Sequence, residues 1–296
     1  MTGWSIAALP AILTSIAVTA AAQAPGVFRA ESRLVVLQAT VKNERGSDVT
    51  DLDQRAFTVF ENGKRQAITL FRRDDVPVSL GLLIDNSGSM RTLRRRVEAA
   101  ALAFVRASNP LDEVFVLNFA DAPRIDVPFT SDAGVLAARI ARVDSIGGTA
   151  MRDAVAMADT YLREHASRDR RVLLIVTDGR DNASTTTWRQ LDELTRHSQT
   201  VVYAIGLFGS DAVAPEGRHE LDRLTEQSGG AAFYPAAIDD VDAVVGDLAR
   251  RIRNQYTIGY APTNPTLDGS YRRIRVEARA GEPLTVRTRA GYVARP

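Results

Sequence analysis

Seven residues, Val78-Ser-Leu-Gly-Leu-Leu-Ile84, run without a break into Asp85-Asn86-Ser87-Gly88-Ser89, and a helical pattern starts at once. A continuous apolar run bounded by turn residues suits a strand buried on both faces, which is the habit of a parallel sheet. The oxygen-rich loop after it offers one carboxylate and two hydroxyls, each two residues apart. Alternate residues of a tight turn can point to one side, and Gly88 lets the backbone bend with no Cβ in the way. Hard cations such as Mg²⁺ take oxygen ligands of this kind. The same spacing also fits a plainer arrangement, a strand-ending Asp followed by Ser residues that cap a helix.

Two later stretches bear on that choice. Gly147-Gly148-Thr149-Ala150 stands directly before a helical pattern, and Val172-Leu-Leu-Ile-Val-Thr-Asp178-Gly179 is another buried-strand run ending in Asp. Taken in order, the three pieces resemble the von Willebrand factor type A (vWA) domain and its metal-ion-dependent adhesion site over roughly residues 78 to 250. Asp85, Ser87, Ser89, Thr149 and Asp178 match that motif with no departure. The resemblance implies that these five gather around one divalent cation, Mg²⁺ or alternatively Mn²⁺ or Ca²⁺. It also implies a protein partner that presents an Asp or Glu carboxylate to the ion.

The alternation of strands and helices from residue 77 to 253 predicts a doubly wound, mostly parallel six-stranded α/β sheet, Rossmann-like in order, 3-2-1-4-5-6. In that order the strands ending in Asp85 and Asp178 are neighbours at the point where winding reverses, and Thr149 lies in a loop over the same edge. The tight turn Ala120 to Arg124 predicts one antiparallel strand after it, and Pro128 suits a sheet edge. Helices are expected at about residues 132–143 and at Trp188 to His197, with a long loop from Phe208 to Arg218.

Both flanks are β-like. Asn62-Gly63 between two short apolar runs marks a type I′ hairpin turn. Near the other end, Arg272 to Arg279 alternates, with Ile274, Val276 and Ala278 on one face and charges expected on the other. Leu284 to Arg289 reads as one last strand with Arg287 and Arg289 outward. Each flank, roughly 50 residues in front and roughly 40 behind, is marginal for its own core. Residues 27–76 and 254–296 are therefore expected to form one antiparallel β-sandwich of about seven strands, with the α/β domain (77–253) inserted in it. The whole layout also resembles vWA-related secreted proteins of acidobacterial type.

Composition narrows the function classes. The net charge of +1 gives no reason to expect nucleic acid or an anionic membrane as partner. Cysteine is absent, which excludes disulfides, thiolate metal sites and Cys nucleophiles. Trp4 to Ala22 is apolar and Ala-rich and ends in small residues, as a signal peptide over residues 1–22 would. Export to the periplasm or the cell exterior is the expectation. Met1-Thr2-Gly3 carries no Lys or Arg, so an uncleaved membrane anchor is the alternative.

Among enzymes, Asp85 at a strand end is similar to the nucleophile of haloacid dehalogenase-like phosphatases. Those place a second Asp two residues on, where this chain has Ser87, and a late Lys, whereas Lys42 and Lys64 both precede the α/β region. No G-x-S-x-G elbow, G-x-G-x-x-G loop or Walker loop occurs. His165, His197 and His219 read as surface residues, His219 on a loop. Asp181 has two readings, a hydrogen bond to a metal-bound water or a solvated loop residue. The chain therefore reads as a non-enzymatic, metal-dependent adhesion or assembly module, with a structural scaffold as the alternative.

Overall fold

The computed structural model describes residues 1, 34–73, 75–140, 146–178, 181–208, 214–235 and 240–295. Apart from Met1, the expected signal segment lies outside the described residues. Among those described, no helix is long and apolar enough to cross a membrane. Residues from Ser32 onward make one compact unit.

That unit opens with β1 (Val35–Asn43), β2 (Phe57–Glu61), β3 (Lys64–Gln66) and β4 (Ile68–Arg72). Asn62 and Gly63 join β2 to β3 with φ of 48° and 81°, the left-handed conformation a type I′ turn needs. The α/β segment follows: β5 (Val78–Asp85), α1 (Arg94–Ala107), β6 (Glu113–Phe119), β7 (Pro123–Thr130), α2 (Ala133–Ile140), α3 (Met151–His165) and β8 (Arg170–Thr177). It continues through α4 (Trp188–His197), β9 (Val201–Gly206), α5 (Ala214–Ser228), β10 (Ala232–Phe233) and α6 (Val241–Arg253). The chain closes with β11 (Tyr256–Tyr260), β12 (Tyr271–Ala278), β13 (Leu284–Arg287) and β14 (Gly291–Val293).

The central sheet runs β10-β9-β8-β5-β6-β7, parallel throughout except for β7. This is the expected strand order, with β5 and β8 side by side at its centre. Every residue of β5 is buried, because α1, α2 and α6 cover one face of the sheet and α3, α4 and α5 the other. Gly81 makes the second face possible: a Cβ there would lie 2.4 Å from the ring of Phe115. Val97, Ala101 and Phe104 form the buried stripe of α1 at helical spacing.

Two four-stranded antiparallel sheets, β13-β1-β11-β4 and β14-β12-β2-β3, share a second core that includes Leu37, Val59, Ile258 and Val276. Strands from before and after the α/β segment are mixed in both sheets. Among the described residues there are eight strands where about seven were expected. The reason is that the last segment divides, β13 pairing with β1 and β14 with β12. The β12 alternation also differs from expectation at one position. Arg272 lies on the inner face with Ile274 and Val276, because Glu61 on β2 meets its guanidinium at 3.1 Å. Tyr260 and Tyr292 donate to the other Glu61 oxygen at 2.8 and 2.9 Å.

The loop expected from Phe208 to Arg218 is shorter than that, since α5 already begins at Ala214. Pro215 in the first turn lacks only a donor that turn does not use, and Glu216 faces the positive helix end. His219 is therefore helical, though exposed as expected. For α2, the described part ends at Ile140, and residues 141–145 lie outside the description.

Candidate metal centre

The central strands deliver their last residues to one edge. Asp85 ends β5 at 1% exposure and accepts two hydrogen bonds: from the Ser87 backbone N–H at 2.8 Å on Oδ1, and from the Thr177 hydroxyl at 2.6 Å on Oδ2. The Ser87 hydroxyl lies 3.0 Å from that of Ser89, which donates to Asp178 Oδ1 at 2.9 Å. Ser87, Ser89 and Asp178 thus form a continuous row of oxygens beside Asp85. Ser89 is exposed and gives the row its opening to solvent.

Thr149 reaches the same edge through its loop. Gly88 N–H donates to the Gly147 carbonyl at 3.0 Å, and Ile146 N–H to the Asn86 carbonyl at 2.9 Å. Thr149 is buried at 3% exposure immediately before α3. It is not hydrogen-bonded to the other four residues. Instead its backbone is clamped by Asn182, whose Oδ1 accepts from Thr149 N–H at 2.8 Å and whose N–H donates to the Thr149 carbonyl at 3.0 Å.

Charge at this edge is unbalanced. Burial pushes the Asp85 carboxyl up to about 6, against the opposing effect of the Thr177 and Ser87 hydrogen bonds, and Asp178 beside it adds a smaller upward push. Burial raises Asp178 as well, opposed by the bond from Ser89. Among the described residues neither carboxylate has an ion-pair partner. Nor do three or more His, Cys, Asp or Glu side chains among them come together so as to hold a metal ion. A cation held here would rest on two carboxylates and hydroxyl oxygens. That donor set fits a hard divalent ion and lacks the nitrogen and sulfur that softer metals favour.

Several residues that build this edge carried no motif. Thr177 precedes Asp178 and orients Asp85. Asn86 donates to Asn118 Oδ1 at 2.6 Å, tying the motif loop to the end of β6. Asp121 accepts from Gly148 N–H at 2.6 Å and so holds the Gly-Gly turn. Asp181 is not a solvated loop residue. Its fully buried carboxylate accepts from Arg152 N–H at 2.7 Å, from the Arg152 guanidinium at 3.2 Å and from the Ser184 hydroxyl at 2.6 Å. It pins the loop after β8 to the start of α3, and Asp153 adds to this by accepting from Thr185 and Thr186 N–H. The only sequence signal for these residues is their position just beyond strand ends, where ligands of open α/β sheets bind.

A family model described as von Willebrand factor type A domain matches residues 80–180. The chain is 26% identical over 161 residues to human calcium-activated chloride channel regulator 1, a match covering 52% of this chain and 16% of that protein. Among solved structures, a von Willebrand factor type A protein from Catenulispora acidiphila aligns over 87% of this chain and 73% of its own, at 14% identity and TM-score 0.54. Proximal thread matrix protein 1 of the mussel byssus, with a zinc-occupied MIDAS motif, aligns over 65% of this chain and 49% of its own, at 16% identity and TM-score 0.53. The domain of the type V pili tip protein Mfa5 from Porphyromonas gingivalis aligns over 60% of this chain and 95% of its own, at 13% identity and TM-score 0.50. At these identities the structural likenesses bear on the fold alone.

Proposed function

We propose, for a chain that carries a von Willebrand factor type A domain at residues 80–180, that it is a non-enzymatic binding module working through one divalent cation. Asp85, Ser87, Ser89, Thr149 and Asp178 hold the ion, Mg²⁺ in the first place and Mn²⁺ or Ca²⁺ as substitutes. The bound ion supplies an electrophilic contact for an Asp or Glu carboxylate of a protein partner, in adhesion or in assembly. The observation that carries this reading is the pairing of buried Asp85 with half-buried Asp178, neither with an ion-pair partner among the described residues, in a row of hydroxyls that opens at exposed Ser89. Each residue has a task. Thr177 and the Ser87 backbone fix the Asp85 carboxylate, Ser89 positions Asp178, and the Asn182 clamp sets Thr149 at the start of α3. The N-terminus of α3 there adds a field that favours an anionic partner group.

The relatives support the reading in kind, one being a byssus protein with a zinc-occupied MIDAS motif and another a pilus-tip protein. The apolar, Ala-rich run from Trp4 to Ala22 supports the further proposal that the protein is exported and acts outside the cytoplasm after loss of residues 1–22. The phosphatase alternative is disfavoured by Ser87, which stands where a general acid would be needed and is hydrogen-bonded to Ser89. Residues 77–253 form the binding domain in this proposal, with 27–76 and 254–296 as its supporting module.

The test is calorimetric titration of the metal-free protein with Mg²⁺, Mn²⁺ and Ca²⁺, followed by partner capture from an extracytoplasmic extract. One ion bound per chain is expected, lost in Asp85→Ala, together with capture that EDTA abolishes. Absence of binding at millimolar metal would sink the site. Metal binding with EDTA-insensitive capture would favour a scaffold role instead.

A further inference from the structure

At the opposite edge of the central sheet, where β5, β8 and β9 begin, the sandwich leans over the strand starts and encloses a cleft of about 410 Å³. This volume falls in the range of small-molecule sites. Its walls are of two kinds. Val36, Leu70 and Val201 contribute apolar surface, while Arg72, Arg170, Arg171 and Arg289 contribute charge, against one carboxylate, Asp169. Arg170 is only 4% exposed.

The arginines are incompletely satisfied. One Arg170 nitrogen, Nη2, donates to the Ile252 carbonyl and to Gln255, both at 2.6 Å, while its buried Nε and Nη1 have no acceptor. The buried Nε atoms of Arg171 and Arg289 are likewise without an acceptor. No carboxylate forms an ion pair with Arg170, Arg171 or Arg289 among the described residues. Arg289 instead lies over the Tyr292 ring at 5.6 Å. Burying guanidinium donors without acceptors is costly, and breaking water contacts at such donors is worthwhile only where an acceptor replaces them. Arg in this state is the residue suited to bidentate recognition of a carboxylate. Burial also lowers the Arg170 and Arg289 pKa values, opposed at Arg170 by Tyr203, Asp75 and Asp112 and at Arg289 by neighbouring tyrosines.

We infer that this cleft binds a small amphipathic carboxylate, its anionic head on Arg170, Arg171 and Arg289 and its apolar body along Val36, Leu70 and Val201. Such a ligand touches both the sandwich, through β1 and β4, and the α/β segment, through β8 and β9, and so bridges the two. The site stands apart from the proposed metal centre, which occupies the other end of the same strands.

The probe is octanoate, with octan-1-ol as its uncharged counterpart, applied to the full chain. A rise in melting temperature and a saturable calorimetric signal are expected with octanoate and not with octan-1-ol. Arg171→Gln and Arg289→Gln remove side chains that hold no acceptor, so both variants should fold, and each should weaken octanoate binding about tenfold or more. A second arm compares a short peptide ending in a Leu carboxylate. Whichever carboxylate binds more tightly identifies the source, a free acid or a chain terminus. The inference is overturned if neither carboxylate binds, if octan-1-ol stabilises equally, or if both variants bind octanoate as the native protein does.

Discussion

The two ends of one set of strands differ in the sign of their unmatched charge. Where β5 and β8 end, Asp85 and Asp178 sit among hydroxyls, with no ion-pair partner among the described residues. Where β8 and β9 start, three arginines stand without a carboxylate ion-pair partner among the described residues and with buried donors left over. Inside the sandwich the charges are matched: Glu61 and Arg272, at 3% and 2% side-chain exposure, are paired at 3.1 Å, tyrosines and carbonyls take up the other groups, and Arg272 Nε alone lacks an acceptor. A matched buried charge holds a fold together. An unmatched one costs stability until something binds, so the sheet edges are where ligands belong and the sandwich interior is where structure is held.

The largest effect should come from spoiling the matched pair. Arg272→Met leaves the Glu61 carboxylate buried with only tyrosine hydroxyls, and a loss of about 3–5 kcal/mol in urea unfolding is expected. Replacing both partners together, as Glu61→Leu with Arg272→Met, should recover much of that loss. A single variant within 1 kcal/mol of the native protein, on the scale of surface changes, would break the contrast.

The carboxyl edge should behave in the opposite way, and pH shows it. The folded, metal-free protein keeps its Asp85 proton up to about 6, whereas the unfolded chain loses it near the ordinary aspartate value of 3.8. Between those values the folded state binds more protons, so stability falls as pH rises through the window and is at its lowest above it. Two units correspond to about 3 kcal/mol. In EDTA the native protein should lose melting temperature between pH 4 and pH 7, and Asp85→Asn should flatten that slope and melt higher at pH 7. Metal offsets the difference. With ion at about 100 times Kd the native protein gains about 2.7 kcal/mol by mass action, which brings it back close to Asp85→Asn, and Asp85→Asn gains none. Equal responses of the two proteins to Mg²⁺ would remove Asp85 from the site.

The carboxyl edge was largely legible from the sequence and the amino edge was not. Asp85, Ser87 and Ser89 lie within five consecutive residues, and their strand is apolar enough to be read as buried on both faces. Thr149 and Asp178 were legible because each stands at the boundary between two periodic segments. Thr177 was not, since a Thr inside a strand has no distinguishing pattern, and Asp181 looked like any loop carboxylate until its contact with Arg152 was seen. At the other edge Asp169-Arg170-Arg171 reads as the wet start of a strand. Yet Arg170 is buried where the sandwich meets the start of β8, Arg171 is half-buried, and Arg289 comes from 118 positions further along than Arg171. Arg272 was hidden in the same way, because its partner Glu61 is 211 residues distant. Periodicity reports a neighbour's polarity only within an element, so contacts between distant elements stayed invisible.

The smallest effect expected is the coupling between the two edges, and it is the sharpest check on treating them as separate sites. The eight residues of β5 span roughly 25 Å at the usual strand rise, about three times the screening length at physiological salt. Direct attraction between Asp85 and the arginines is therefore slight, and sites so far apart usually add within about 0.5 kcal/mol. Arg289→Gln should leave the Mg²⁺-induced rise in melting temperature unchanged, and saturating Mg²⁺ should leave octanoate affinity within about twofold. In a double-mutant cycle of Asp85→Asn with Arg289→Gln, unfolding free energies should sum to within that margin. A coupling above 1 kcal/mol would mean that the central strands or α6, whose Ile252 carbonyl accepts from Arg170, move as one body between two arrangements. The edges would then be the two ends of a single switch, and each ligand would tune the other's affinity by the same factor.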